Sequence, residues 1–349
     1  MKPFRFRSTA LRAVAALAPL ALLTAAAPPP ANVSPSPSPS PSPGQIVEEA
    51  PPAHWTAIAA SDLLVMELAP DAAGKPRRVL IQLMPAPFST GWIGNIRKLA
   101  AAKWWDGTAI VRVQDNYVVQ WGDPDAEDEA SAKPLPGGIA RVPESGYVVG
   151  LDAFDAAVKE WFSADDSAGA AAAPAVVVAN DYRAPWAGPD IYAKTLDFFR
   201  GWPVAGNDDG VWPVHCYGMV GVGRNLSPDT GSGAELYTVI GHAPRHLDRN
   251  IALVGRVVEG IEHLSSLPRG TGELGFYEMA SERTVIRSVR PASDLPEAER
   301  PKLEYLESSS ESFIRYAVAR ANRKDAFFNI PAGGTDICNI PVPIRKITQ

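Results

Sequence analysis

Neither a GxSxG nucleophile motif nor an HExxH zinc motif occurs in the chain, and its five histidines, at 54, 215, 242, 246 and 263, are too scattered to mark a triad or a metal centre. A lone histidine near a strand end, such as His215, reads as structural. Gly270-Thr-Gly-Glu-Leu-Gly275 has GxGxxG spacing, but it follows a helical stretch and runs into Phe276-Tyr277 instead of joining a strand to a helix, which argues against a dinucleotide site. The reading is therefore of no metal, no cofactor and no conventional nucleophile or base. Cysteine is scarce, with only Cys216 and Cys338 and no CxxC or metal-ligand spacing. Basic residues are outnumbered, 33 Lys and Arg against 39 Asp and Glu. No internal repeat is evident.

What is present begins with an export signal. Lys2, Arg5, Arg7 and Arg12 precede or enter an apolar run from Ala13 to Leu23, and the small residues Thr24 to Ala27 follow. Residues 1–27 thus read as a signal peptide, since the apolar run falls short of the ~20 residues that span a bilayer. The expected location is periplasmic or otherwise exported, with no membrane insertion after cleavage. Cleavage removes four basic and no acidic side chains and takes the net charge from −6 to −10, which disfavours nucleic acid as a partner. In an oxidising compartment Cys216 and Cys338 are expected to form a disulfide tying the C-terminal tail to the core, the alternative being two buried free thiols.

Residues 28–54 form a Pro/Ser-rich linker, with Ser-Pro repeating from Ser34 to Pro43, for which extended polyproline II is expected. Folding is expected to start near Trp55. Residues 62–69 and 78–83 read as a β-hairpin, and Trp92, Ile93, Ile96 and Leu99 mark one face of a helix with Ser89 or Thr90 available as its cap. Residues 125–214, acidic and Ala-rich at first, with a candidate helix from Leu151 to Phe162 and the Ala/Gly run 168–173, read as an insertion. Strand character returns at 215–222, 235–240, 251–258 and 284–289, a short helix is expected at 260–267, and a helical pattern over 309–322 leads to a Pro-rich tail. Many short strands and few helices predict a mainly β fold, an antiparallel barrel or sandwich with capping helices.

One stretch organises the rest. Residues 106–124, DGTAIVRVQDNYVVQWGDP, read as two strands about an Asp115-Asn116 turn, with Arg112 set among β-branched and aromatic residues. A permanently charged guanidinium there is either an edge residue reaching water or a donor aimed at an acceptor.

The order of motifs resembles the cyclophilins, the eight-stranded-barrel prolyl isomerases. Residues 62–83 resemble their opening hairpin, and Asn95-Ile-Arg-Lys-Leu99 with Trp104-Trp-Asp-Gly107 resembles the NFxxL helix and YYDG turn. Residues 112–124, RVQDNYVVQWGDP, resemble HRVIxGFxxQGGDP from its arginine onward, and residues 233–257 resemble GSQFFIxxxxxxxLDxxxxVFGxV. The resemblance implies a closed eight-stranded antiparallel β-barrel over residues 55–290, interrupted by the insertion at about 125–214 and followed by a C-terminal helical extension, 291–349.

It further implies peptidyl-prolyl cis-trans isomerase activity on proline-containing polypeptide clients. Arg112 falls at the catalytic arginine and Gln120 at the glutamine beside it. Tyr117, Val118, Tyr237, His246 and Leu247 fall at positions lining the proline pocket. The sequence departs from the family at Val111, Trp121, Glu235, Leu236 and Ile251, of which Val111 and Trp121 are expected to flank the site. The alternative is a non-catalytic cyclophilin-like chaperone or peptide-binding module of the cell envelope.

Overall fold

Apolar residues stand at consecutive positions in the first long strands, 63–66 and 79–81, so both faces of the sheet they enter must be covered. The structure, a computed structural model, describes residues 40–165, 186, 188–324 and 327–347. The expected signal peptide, residues 28–39 of the linker and the Ala/Gly run lie outside the described residues. In chain order the strands are β1 (Trp55–Ala57), β2 (Leu63–Leu68), β3 (Arg77–Leu83), β4 (Ala109–Val113), β5 (Val118–Gly122), β6 (Thr195–Phe199), β7 (Trp202–Asn207), β8 (Gly210–Pro213), β9 (Met219–Val222), β10 (Leu236–Val239), β11 (Leu253–Glu259), β12 (Thr284–Pro291), β13 (Leu303–Leu306) and β14 (Ile344–Lys346). The α-helices are α1 (Pro43–Glu48), α2 (Thr90–Ala101), α3 (Leu151–Asp165), α4 (Glu262–Ser265) and α5 (Glu311–Ala321).

Eight strands close into an antiparallel barrel in the order β10-β5-β4-β12-β2-β3-β11-β9, with β9 pairing back to β10. Leu64, Met66, Leu68, Val79, Ile81 and Leu83 belong to the main core, whereas Leu63, Val65 and Leu80 pack on the other face with Ile58, Ala292, Leu303 and Tyr305. The segment beyond the barrel thus covers β2 and β3, which explains why Leu63 to Met66 and Val79 to Ile81 are apolar at consecutive positions. On α2, Trp92, Ile96 and Leu99 are fully buried, as the helical spacing predicts. Ser89 takes the N-cap position with φ 50°, but its side chain makes no capping hydrogen bond.

Several elements differ from the sequence reading. The end of the expected linker is helical, not extended. Ser42 and Gln45 form a reciprocal capping box around Pro43, and Ile46 of α1 is buried. The 125–214 stretch ends in a three-stranded sheet, β6-β7-β8, and a second sheet, β1-β13-β14, draws on both ends of the folded chain. Strands of three or four residues such as β1, β8, β13 and β14 are too short to show a period. The strand expected from His215 starts only at Met219. His215 and Cys216 are instead held by tertiary bonds.

The first part of the 125–214 stretch is fastened along α2. Asn95 donates to Ala140 O at 2.8 Å and accepts from its N–H, and Trp92 stacks on Tyr147 with ring centroids 5.4 Å apart. Among the described residues no helix is long and apolar enough to cross a membrane.

Cys216 and Cys338 are joined in a disulfide that closes a loop of 122 residues. In the chain-entropy account a loop of that size lowers unfolded-state entropy enough to stabilise the fold by about 4–5 kcal/mol, and real bridges fall at or below that figure. Chemical denaturation of the Cys216→Ala/Cys338→Ala protein should therefore show a loss of roughly 2–5 kcal/mol, and the oxidised parent should contain no alkylatable thiol.

Candidate functional site

The site is written into the ladder. Arg112 on β4 lies opposite Gln120 on β5, Gln120 opposite Tyr237 on β10, and Tyr237 opposite Gly221 on β9. Neighbouring strands are ~4.8 Å apart, so these residues form one row across the outside of the barrel. A register shift between Ile110 and Arg112 sets the row, because the bulge leaves Val111 out of the pairing and brings the arginine level with Gln120. Asn116, with φ 51°, turns the chain between β4 and β5.

The period of two then sorts the neighbours. Val119, Trp121 and Leu236 enter the main core, while Val118, Tyr237 and Val239 form a separate apolar cluster with Tyr117, Leu247 and Ile251 packed on it. This corrects one expectation. Trp121 is only 1% exposed and faces the barrel interior, so it does not flank the site. Val111 is also buried. His246 is exposed and lies parallel to Tyr117, with ring centroids 6.4 Å apart. The structure therefore brings together all seven residues expected at the site, with Tyr237, Val118 and Leu247 in one apolar cluster and Arg112 and Gln120 bonded to each other beside it.

Around Arg112 and Gln120 runs a chain of donors and acceptors. Arg112 Nε donates to Leu274 O at 2.7 Å, one terminal nitrogen to Gln120 Oε1 at 3.0 Å, and the other to Gln114 Oε1. Gln120 Nε2 in turn donates to Glu235 Oε1. Partial burial lowers the Arg112 pKa, an effect that the Tyr117 hydroxyl and the Glu235 carboxylate oppose. Burial raises the Glu235 pKa above the ordinary carboxylate value, and the bond from Gln120 counteracts part of that rise. Burial likewise raises the pKa of Tyr117. At this position a carboxylate replaces the amide common in the resembling family, so Glu235 brings a titratable group within one side chain of Arg112.

Behind Tyr237 lies a buried network that sequence reasoning missed. His215 Nε2 is 2.9 Å from the Tyr237 hydroxyl, and its Nδ1 is 2.9 Å from Asp248 Oδ1. Asp248 accepts from Arg245 Nε at 2.7 Å, and Arg245 also donates to Asp190 at 3.0 and 3.2 Å. A carboxylate only accepts, so the bond to Asp248 takes its proton from His215 Nδ1, and Nε2 is the partner of the Tyr237 hydroxyl. Burial raises the Tyr237 pKa well above its usual value and keeps the hydroxyl protonated. Gly221 makes room for it, because a Cβ there would lie 2.3 Å from the phenol oxygen. The sequence signal was faint: Asp248 follows Leu247 directly, but His215 lies on the far side of two strands and the loop between them.

Comparison with known proteins places this geometry. The family model for cyclophilin type peptidyl-prolyl cis-trans isomerase/CLD matches residues 92–290, more than half of the chain, from α2 to nearly the end of β12. The crystal structure of the cyclophilin AquaCyp293 from Hirschia baltica is similar in fold, with a TM-score of 0.55 at 19% identity over 84% of this chain and 95% of that one. Two structures of a Cryptosporidium parvum cyclophilin type peptidyl-prolyl cis-trans isomerase, the second in the presence of the dipeptide Ala-Pro, match with TM-scores of 0.35 and 0.33. Their identities are 11% and 9%, over 66% and 65% of this chain and 96% and 98% of theirs. No curated protein matches. With the closed eight-stranded barrel and a family match over more than half its length, the chain belongs to the cyclophilin-type peptidyl-prolyl cis-trans isomerases.

Proposed function

We propose that this chain catalyses cis–trans isomerisation of Xaa-Pro bonds in exported polypeptides, with Arg112 as the catalytic residue, Gln120 holding it, and Tyr117, Val118, Tyr237, His246 and Leu247 gripping the proline and its neighbours. The observation that carries the reading is the single ladder row in which Arg112 and Gln120 stand beside the Val118–Tyr237–Leu247 surface. Isomerisation breaks no σ bond. It requires rotation about an amide whose resonance sets a barrier of ~18–20 kcal/mol. An apolar seat holds the ring while the preceding residue turns, and the twisted nitrogen regains a lone pair. A guanidinium N–H donated to that lone pair stabilises the twisted state more than either planar state. No proton has to move, which accords with a site that holds an arginine and no exposed nucleophile–base pair.

Two outcomes test this reading, and a third tests the setting of Glu235. A charge-assisted hydrogen bond is worth about 1.5–3 kcal/mol, and ~1.4 kcal/mol is tenfold in rate. Arg112→Ala should therefore lower kcat/KM on a short Xaa-Pro peptide by roughly 10- to 100-fold. An inactive parent, or an equally active variant, would overturn the assignment. Export is tested at the amino terminus, where protein recovered from an exporting host should begin at Pro28 and not at Met1.

The third outcome concerns pH. Because the Glu235 pKa is raised on folding, the folded chain holds that proton more tightly than the unfolded chain does. Ionisation of Glu235 then costs stability. The cost is absent below the ordinary carboxylate value of about 4.3, grows as the pH climbs towards the raised value, and is complete above it. Glu235→Gln should thus be the more stable protein at pH 7, and denaturation curves of the two should converge as the pH falls to 4.

A further inference from the structure

The GxGxxG-like segment Gly270–Gly275, which lacks the setting of a nucleotide site, lies against the arginine. Strand β12 pairs with β4 only at Ala109 and Ile110. Beyond that point the same edge of β4 is taken over by residues 270–277. Gly270 N donates to Val113 O at 2.9 Å, Tyr277 N donates to Val111 O at 3.0 Å, and Phe276 bridges Arg112 in antiparallel register.

Its glycines answer to packing. A Cβ on Gly270 would fall 1.9 Å from Gly275 O, and one on Gly275, where φ is 82°, would fall 2.8 Å from both Gln114 Cα and Val113 O. Between them Leu274 adopts φ 54° and turns its carbonyl to Arg112 Nε at 2.7 Å. The Leu274 side chain stands 60% exposed, so the residue serves through its backbone. The Phe276 ring centre is 5.2 Å from the guanidinium carbon and the Tyr117 ring centre 5.7 Å. Leu274, Gln120 and Gln114 accept three of the five guanidinium N–H groups. Among the described residues the remaining two, one on each terminal nitrogen, have no acceptor.

We propose that residues 270–277 are the positioning element of Arg112: the Leu274 carbonyl and the Phe276 ring fix the guanidinium in orientation and keep water from it before substrate arrives. The inference rests on the isomerase reading and adds positioning residues to it. A pre-oriented donor acts when charge develops on the twisted nitrogen, so its loss appears in kcat and leaves KM nearly unchanged.

Two readouts decide the matter. The first is the Arg112 Nε–H signal in proton–nitrogen spectra, assigned by its disappearance in Arg112→Lys. It should be exchange-protected and displaced from the free-arginine position in the full chain, and averaged to that position in Phe276→Ala and in Gly275→Ala. The second is a kinetic cycle. Phe276→Ala should lower kcat roughly tenfold with KM held, Phe276→Tyr should recover the loss, and Phe276→Ala should cost nothing further in an Arg112→Ala background.

An Arg112 signal already averaged in the parent, or unchanged in Phe276→Ala, would overturn the proposal. So would a Phe276→Ala loss that appears in KM or persists at equal size without Arg112. If the parent shows no isomerase activity, the functional reading fails, and the spectra still settle whether the loop holds the arginine.

Discussion

A permanently charged, half-buried guanidinium must find acceptors, and in this barrel that requirement shapes everything around it. Arg112 cannot shed its charge, and burial of its side chain removes water that would otherwise serve its five N–H groups. The bulge at Val111, the two glutamines and the left-handed carbonyl at Leu274 each supply part of the answer. Glu235 then answers Gln120.

The barrel makes such a site affordable because its strands carry two different faces. Inside, Val119, Trp121 and Leu236 fill the core, and outside, the next residues along β5 and β10 form a separate apolar cluster beside Arg112. On the opposite wall the outer face of β2 and β3 is sealed by the segment around Leu303 and Tyr305. The Tyr237 hydroxyl would be costly in a buried cluster without a partner. It is satisfied by His215, which is held by Asp248, which in turn is held by Arg245 and Asp190. Thus the 125–214 stretch, through Asp190, reaches the network behind Tyr237.

The legible parts of the sequence were those with long periods or ordered motifs. The apolar run of β2 and β3, the α2 face of Trp92, Ile96 and Leu99, and the Arg112–Pro124 stretch all found their expected structures, because burial of one face imposes a pattern that survives in the sequence. The residues proposed for the pocket came only from resemblance to the family. Trp121 illustrates the limit: as a departure from the family it was expected to flank the site, yet the side-chain alternation of β5 sends it into the core. The sheet β1-β13-β14 was illegible, since strands of three or four residues show no period and pair with partners far away in the chain, while β6-β7-β8 is a local meander that the reading of 125–214 as an insertion did not resolve.

By itself the sequence determined that the fold is mainly β, that Arg112 sits on a strand with Gln120 eight residues on, and that Cys216 and Cys338 stand as the only possible intrachain pair. These are properties of composition, local periodicity and count. Tertiary structure alone decided that Gly270–Gly275 lies against the arginine, that Leu274 offers a carbonyl to it, and that His215 supports Tyr237 from below. The reason is physical: these contacts join backbone and side-chain atoms separated by 22 to 162 residues, and a carbonyl oxygen has no residue identity for a sequence to display.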